Sequence, residues 1–101
     1  MAKKSSVARN NKRMMLVAHY RELRRSLKQK LLDVSISDEE YSCAQRKMSK
    51  LPRNSSAVRV RNRCAITGRP RGFHGLFGVS RLQLREMASN GEIPGLTKSS
   101  W

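Results

Sequence analysis

A chain of 101 residues has room for one small domain, and 38% hydrophobic residues at that length promise only a slight autonomous core. Its net charge of +15, from 22 basic and 7 acidic side chains, would make a compact domain repel itself, so a polyanion is the expected partner. A membrane surface fits less well, because the chain has neither a long apolar run nor a basic amphipathic segment rich in bulky aromatics.

Residues 1–12 are polar and basic, with Lys3, Lys4, Arg9 and Lys12, and are expected to be disordered alone and ordered on RNA. The opening MAKKSS has no apolar signal core, which reads against secretion. It has the basic, acid-poor character of an organelle-targeting segment, and equally that of an RNA-binding arm, the reading we prefer. From residue 13 to 32 the pattern is helical: Leu16, Tyr20, Leu23, Leu27 and Leu31 recur at spacings of three and four and form one apolar stripe. Arg13, Arg21, Arg24, Arg25 and Lys28 fall elsewhere on this helix. Glu22 is the only acid before residue 33, so these cations lack i,i+4 partners and read as a phosphate-facing surface rather than a laced solvated face.

Asp33 to Ile36 breaks the pattern. Ser37 followed by Glu40 is a capping box, with Asp38 and Glu39 at the positive end of a second helix. Tyr41, Ala44, Met48 and Leu51 line one face of that helix, which should stop before Pro52. The two stripes can pair as a helical hairpin. Four of the seven acids gather at its turn, making the turn the part of the chain least suited to touch RNA.

No acid occurs from Tyr41 to Arg85, and from Arg53 to Arg85 the basic residues are all arginine. Guanidinium presents a planar fork of donors that fits phosphate oxygens and stacks on bases, which ammonium does not. Arg53-Asn54-Ser55-Ser56 reads as an extended or turning linker. Val58 to Arg63 alternates, predicting a short extended run with arginines on one side. Four glycines and Pro70 between residues 68 and 78 predict an irregular loop whose backbone approaches its partner closely. Ser80 with Gln83 is a second capping signature. It starts a helix over about 81–90 that buries Leu84, Met87 and Ala88 and stops at Gly91. The last residues form an irregular tail with a turn at Pro94-Gly95.

Three chemistries compete for this pattern. Positions 64, 67, 80 and 83 have the spacing of two C-x2-C pairs, but their occupants are Cys64, Thr67, Ser80 and Gln83, and one thiolate cannot hold a structural zinc. His74 does not rescue the count, so no metal and no cofactor are expected. Cys64 with His74 or His19 lacks a neighbouring carboxylate to orient the imidazole, so catalysis is not expected either. Cys43 and Cys64 read as free thiols in a reducing compartment. RNA binding is what charge, arginine preference and glycine content jointly support. Phe73, His74 and Phe77 interleave with the loop. Core pinning suits Phe77 better than base stacking, and the two roles balance for Phe73. Trp101 reads as a residue that docks into an RNA or protein crevice.

These residues carry a resemblance. R-N-R-C-x2-T-G-R-P-R-G (61–72), F-G-x-S-R-x3-R-E (77–86), P-G-x2-K-S-S-W (94–101) and L-P-R-N-S-S (51–56) resemble the bacterial-type small-subunit ribosomal protein 14 family. The likeness is dense over 51–101 and looser before. The family has a short form that binds zinc through four cysteines and a long form in which they are replaced. Thr67, Ser80 and Gln83, with the N-terminal helices, resemble the long, zinc-free form. The resemblance implies a non-catalytic constituent of the small ribosomal subunit, bound to the 3′ major domain of its rRNA in the head, with small-subunit proteins 3, 10 and 19 as neighbours. It implies rRNA contact by Arg53, Asn54, Arg59, Arg61, Arg63, Arg69, Arg71, Arg81, Arg85 and the tail from Lys98 to Trp101. His74, Gly75 and Leu76 stand where the family commonly has basic residues, a loss that suits an organellar ribosome as well as a bacterial one.

The expected fold is therefore mainly α, small and extended. A basic helical arm or hairpin (1–52) precedes an Arg-rich module (53–101), which is a degenerate zinc ribbon without metal that ends in a short helix. The expected partner is small-subunit rRNA, with no membrane and no homo-oligomer, in bacterial cytoplasm or the mitochondrial matrix. A free-standing helix-turn-helix regulator is the competing class, and an autonomous cooperative melt would favour it.

Overall fold

The structure, a computed structural model, describes residues 2–99. The docking role expected of Trp101 lies outside them. The chain is mainly α: helix α1 (Lys4–Leu32), helix α2 (Asp38–Lys50), two single 3-10 turns (Arg53–Ser55 and Ala57–Arg59), strands β1 (Phe73–His74) and β2 (Val79–Ser80), and helix α3 (Arg81–Ser89). Packing divides it into two units, residues 9–60 and a second made of 1–8 with 61–101.

Helix α1 begins nine residues earlier than its apolar stripe requires. Nothing between residues 4 and 12 breaks a helix, since the stretch holds neither Gly nor Pro. In the second unit Ala2 N–H donates to Thr67 O, and a Cβ placed on Gly68 would meet Val7 Cγ2 at 2.8 Å. The segment expected to be disordered is thus held by the very turn that follows Cys64.

In the 9–60 unit the stripe of α1 is buried at Leu27 and half-buried at Leu16, Tyr20 and Leu31, while Leu23 is largely exposed. Its partner on α2 is Ala44, also buried, with Met48 and Leu51 half-buried. The serine half of both capping signatures forms: Glu40 N–H donates to Ser37 Oγ at 3.3 Å, and Gln83 N–H donates to Ser80 Oγ at 3.4 Å. α2 stops at Lys50, before Pro52. α3 ends in a Schellman motif: Gly91, at φ +71°, donates to Ala88 O, and Glu92 donates to Met87 O.

Two sequence readings fail. The alternation at residues 58–63 does not make an extended run throughout, because Ala57–Arg59 closes into a 3-10 turn through Val60 N–H to Ala57 O. The glycine-rich segment is not wholly irregular either. β1 and β2 pair antiparallel, with Phe73 opposite Ser80 and His74 opposite Val79. Gly78, at φ +70°, closes the connection by donating to His74 O at 2.8 Å, so the glycine that forbids a long strand is what permits this short hairpin.

Candidate nucleic-acid interface

The Arg-rich module is built on a closed turn. Gly68 N–H donates to Cys64 O at 2.9 Å, Cys64 N–H donates to Arg69 O at 3.0 Å, and Gly68 takes φ +76°. Ala65 N–H donates to Gly78 O and ties this knuckle to the hairpin. Arg81 N–H donates to Gly72 O at 2.7 Å and ties the hairpin to α3. The four slots with zinc-ligand spacing therefore converge, although only Cys64 keeps a thiol. Among the described residues no cluster of three or more His, Cys, Asp or Glu is placed to hold a metal ion.

Cys64 is buried and Cys43 exposed, and both are free thiols. Burial pushes the Cys64 thiol up. The Thr67 hydroxyl and the backbone N–H groups of Thr67, Ser80 and Ile66 hydrogen-bond its sulfur and outweigh that, bringing it down from 9.0 to about 6. Backbone dipoles here do part of what a metal would do for a thiolate. Because the folded value is depressed, the stabilisation is complete above pH 9 and is lost as pH falls towards 6. A Cys43→Ser chain should therefore show thiolate absorbance rising with a midpoint of about 6. The urea midpoint of the unsubstituted chain should gain on that of Cys64→Ser between pH 6 and 9. A midpoint at the ordinary thiol value would overturn the account.

In the 61–101 region Arg69 and Arg71 line one concavity of about 450 Å³ with Thr67, Ser80, Gln83 and Glu86. Arg81, Arg85 and Lys98 line another of about 330 Å³, floored by Leu84, Ala88 and Leu96. Lys98 Nζ donates to Ser89 Oγ at 2.7 Å, which holds the tail beside α3. The Arg81 side chain lies over Gly72, whose added Cβ would meet Arg81 Cγ at 3.1 Å. Arg61 Nη2 donates to Pro70 O at 3.1 Å and Arg63 Nη1 to Gly68 O at 2.9 Å. These two arginines brace the knuckle as well as charge it. Arg63 is half-buried, and its Nε has no partner among the described residues.

Arg53, Asn54 and Arg59 belong to the other unit, where Arg59 Nη1 donates to Asn54 Oδ1 at 3.3 Å. One cation assigned to a phosphate-facing helix surface is used differently. Arg24 Nε donates to Ser55 Oγ at 3.0 Å and Nη2 to Pro52 O at 3.4 Å, so it clamps the 52–55 turn against α1. The spacing held the clue: Arg24 stands four after Tyr20 and three before Leu27, on the buried stripe itself.

Fold and site together define a class: a small, strongly basic helical protein organised on a zinc-ribbon-like knuckle in which three of four ligand slots are not cysteine. The profile of the family described as Ribosomal protein S14p/S29e matches residues 47–100. The small ribosomal subunit protein uS14 of Opitutus terrae is 50% identical to the chain, that of Anaplasma phagocytophilum 52%, and the uS14A of Myxococcus xanthus 54%; each match spans all 101 residues and the whole relative. The chain belongs to the ribosomal protein S14p/S29e family and is a structural component rather than an enzyme.

Proposed function

We propose that this chain binds small-subunit rRNA within the 3′ major domain and stabilises assembly of the subunit head. In this reading residues 1–52 are a basic helical arm and 53–101 the principal rRNA-binding module. Arg53, Asn54, Arg59, Arg61, Arg63, Arg69, Arg71, Arg81, Arg85 and Lys98 are the contacts, and small-subunit proteins 3, 10 and 19 are neighbours. The observation that carries the reading is the pair of arginine-lined concavities, one beside the knuckle and one along α3 and the tail, in a chain that has no acid from Tyr41 to Arg85. Exposed guanidinium groups held by glycine turns can follow phosphates while neighbouring N–H groups and apolar floors meet riboses and bases. The relatives named above are bacterial, which favours bacterial cytoplasm over a mitochondrial matrix. Among the described residues no helix is long and apolar enough to cross a membrane.

Co-sedimentation tests this directly. The full chain should travel with small subunits through a gradient at high salt, where non-specific electrostatic binding is screened. Recovery at the top of the gradient would refute the reading.

A further inference from the structure

The concavity beside the knuckle carries a charge that its surroundings do not account for. Arg69 and Arg71 line it, and so does Glu86, the only acid from residue 41 to residue 91. Helix physics gives Glu86 no reason to be there. It lies beyond the first turn of α3, the part of a helix where the dipole favours a carboxylate. Its neighbours three and four residues away along the helix are Leu82, Gln83, Ser89 and Asn90, none of them a cation. Among the described residues it forms no ion pair with Arg69 or Arg71. For holding phosphate alone, a carboxylate at this place is a cost.

Charge of both signs narrows the occupant. A bare anion would gain from the arginines and be repelled by Glu86. A basic side chain would gain from Glu86 and meet two guanidinium groups. A nucleotide satisfies both, because it carries its phosphate and its base donors apart from one another. Leu82, 48% exposed, and Pro70 supply apolar walls for the ring. An ionised carboxylate accepts and cannot donate, so it fits an edge with two neighbouring N–H groups. Guanine has that edge, N1–H beside the N2 amine. Adenine and cytosine set an amine beside a ring acceptor, and uracil sets one N–H between two carbonyl oxygens, so each of these turns a lone pair towards Glu86.

We propose that this concavity is a base-selective site for an unpaired guanosine of the small-subunit rRNA. Glu86 accepts from N1–H and the N2 amine, and Arg69 and Arg71 hold the flanking phosphate. Glu86 is thereby the residue that sets base specificity in a module otherwise built for phosphates. The proposal rests on the ribosomal reading above and adds to it which base is read and by which side chain.

The test compares the full chain with Glu86→Gln, which keeps the shape of an exposed side chain and exchanges one acceptor for a donor. Each is assembled with small-subunit rRNA and the other small-subunit proteins. The rRNA carries inosine, which lacks only the N2 amine, in place of guanosine at scattered phosphorothioate-tagged positions. At one guanosine, inosine should weaken recovery with the unsubstituted chain about tenfold and should have no effect with Glu86→Gln. On unmodified rRNA Glu86→Gln should bind about tenfold more weakly. Removing a negative charge from a plain phosphate site would strengthen binding instead, so equal or tighter binding would overturn the proposal. So would the same inosine pattern with both chains. Binding of free guanosine monophosphate to the chain, with no rRNA position sensitive to inosine, would assign the concavity to a free nucleotide and overturn it too. If the unsubstituted chain enters no subunits, the ribosomal reading falls first and this inference falls with it.

Discussion

Replacing Arg61, Arg63 and Arg69 together by alanine should weaken rRNA binding at least tenfold and flatten its dependence on salt, the slope of log K against log salt falling by about 2 to 3. The reasoning is one of counterion release. Each phosphate neutralised frees a condensed cation and adds about 0.7 to 0.9 to the slope, and these three arginines lie in a stretch of sequence without an acid, although Glu86 lines the concavity beside Arg69. Arg61 and Arg63 give guanidinium N–H groups to the backbone, to Pro70 O and Gly68 O. Part of the alanine effect will therefore be a loosened knuckle. Lysine separates the two contributions. Arg→Lys at the same three positions keeps the charge and hence the slope, but loses the fork that spans two acceptors, so affinity drops while salt dependence stays. Filter binding over a salt series measures both. An unchanged slope in the alanine variant would remove these residues from the list of phosphate contacts.

Much of the architecture is legible in the sequence because its signals are local. The stripe at Leu16, Tyr20, Leu27 and Leu31, the caps at Ser37 and Ser80, the stop before Pro52 and the glycine at position 91 each act within one or two helical turns. What escaped depends on contacts distant in sequence. The early start of α1 is held by Thr67 and Gly68, some sixty residues away, and no periodicity in residues 4–12 could announce it. The short hairpin at 73–80 is set by backbone bonds across Gly72 and Gly78 that composition alone reads as a loop. The candidate contacts were visible as residue types, but their grouping was not. That Arg69 and Arg71 share one concavity while Arg81, Arg85 and Lys98 share another follows from the hairpin and the tail, not from spacing. Arg24 shows the converse limit: a cation on an apolar stripe is more informative than a cation count, because burial obliges it to find partners, here Ser55 and Pro52.

The largest effect on stability is expected at Gly68. Gly68 and Gly78 have nearly the same positive φ, +76° and +70°, so alanine at either meets the same left-handed backbone penalty of about 1 to 2 kcal/mol. Their surroundings differ. Among the described residues nothing lies within 4 Å of a Cβ built at Gly78, whereas at Gly68 it meets Val7 Cγ2 at 2.8 Å and Ala2 Cβ at 3.3 Å. Val7 is a stiff, branched side chain on a helix, and it cannot yield as the end of a lysine would. Overpacking of that kind adds about 1 to 3 kcal/mol, so Gly68→Ala should cost about 2 to 5 kcal/mol against about 1 to 2 for Gly78→Ala. Amide exchange at Cys64, whose N–H closes the knuckle on Arg69 O, is the local reporter, and its protection should fall far more in Gly68→Ala. Val7→Ala in the Gly68→Ala background should recover part of the loss and leave the backbone share in place, which makes the coupling between positions 7 and 68 measurable as a double-mutant cycle. Equal losses at 68 and 78, or no recovery on trimming Val7, would mean that the start of α1 does not press on the knuckle.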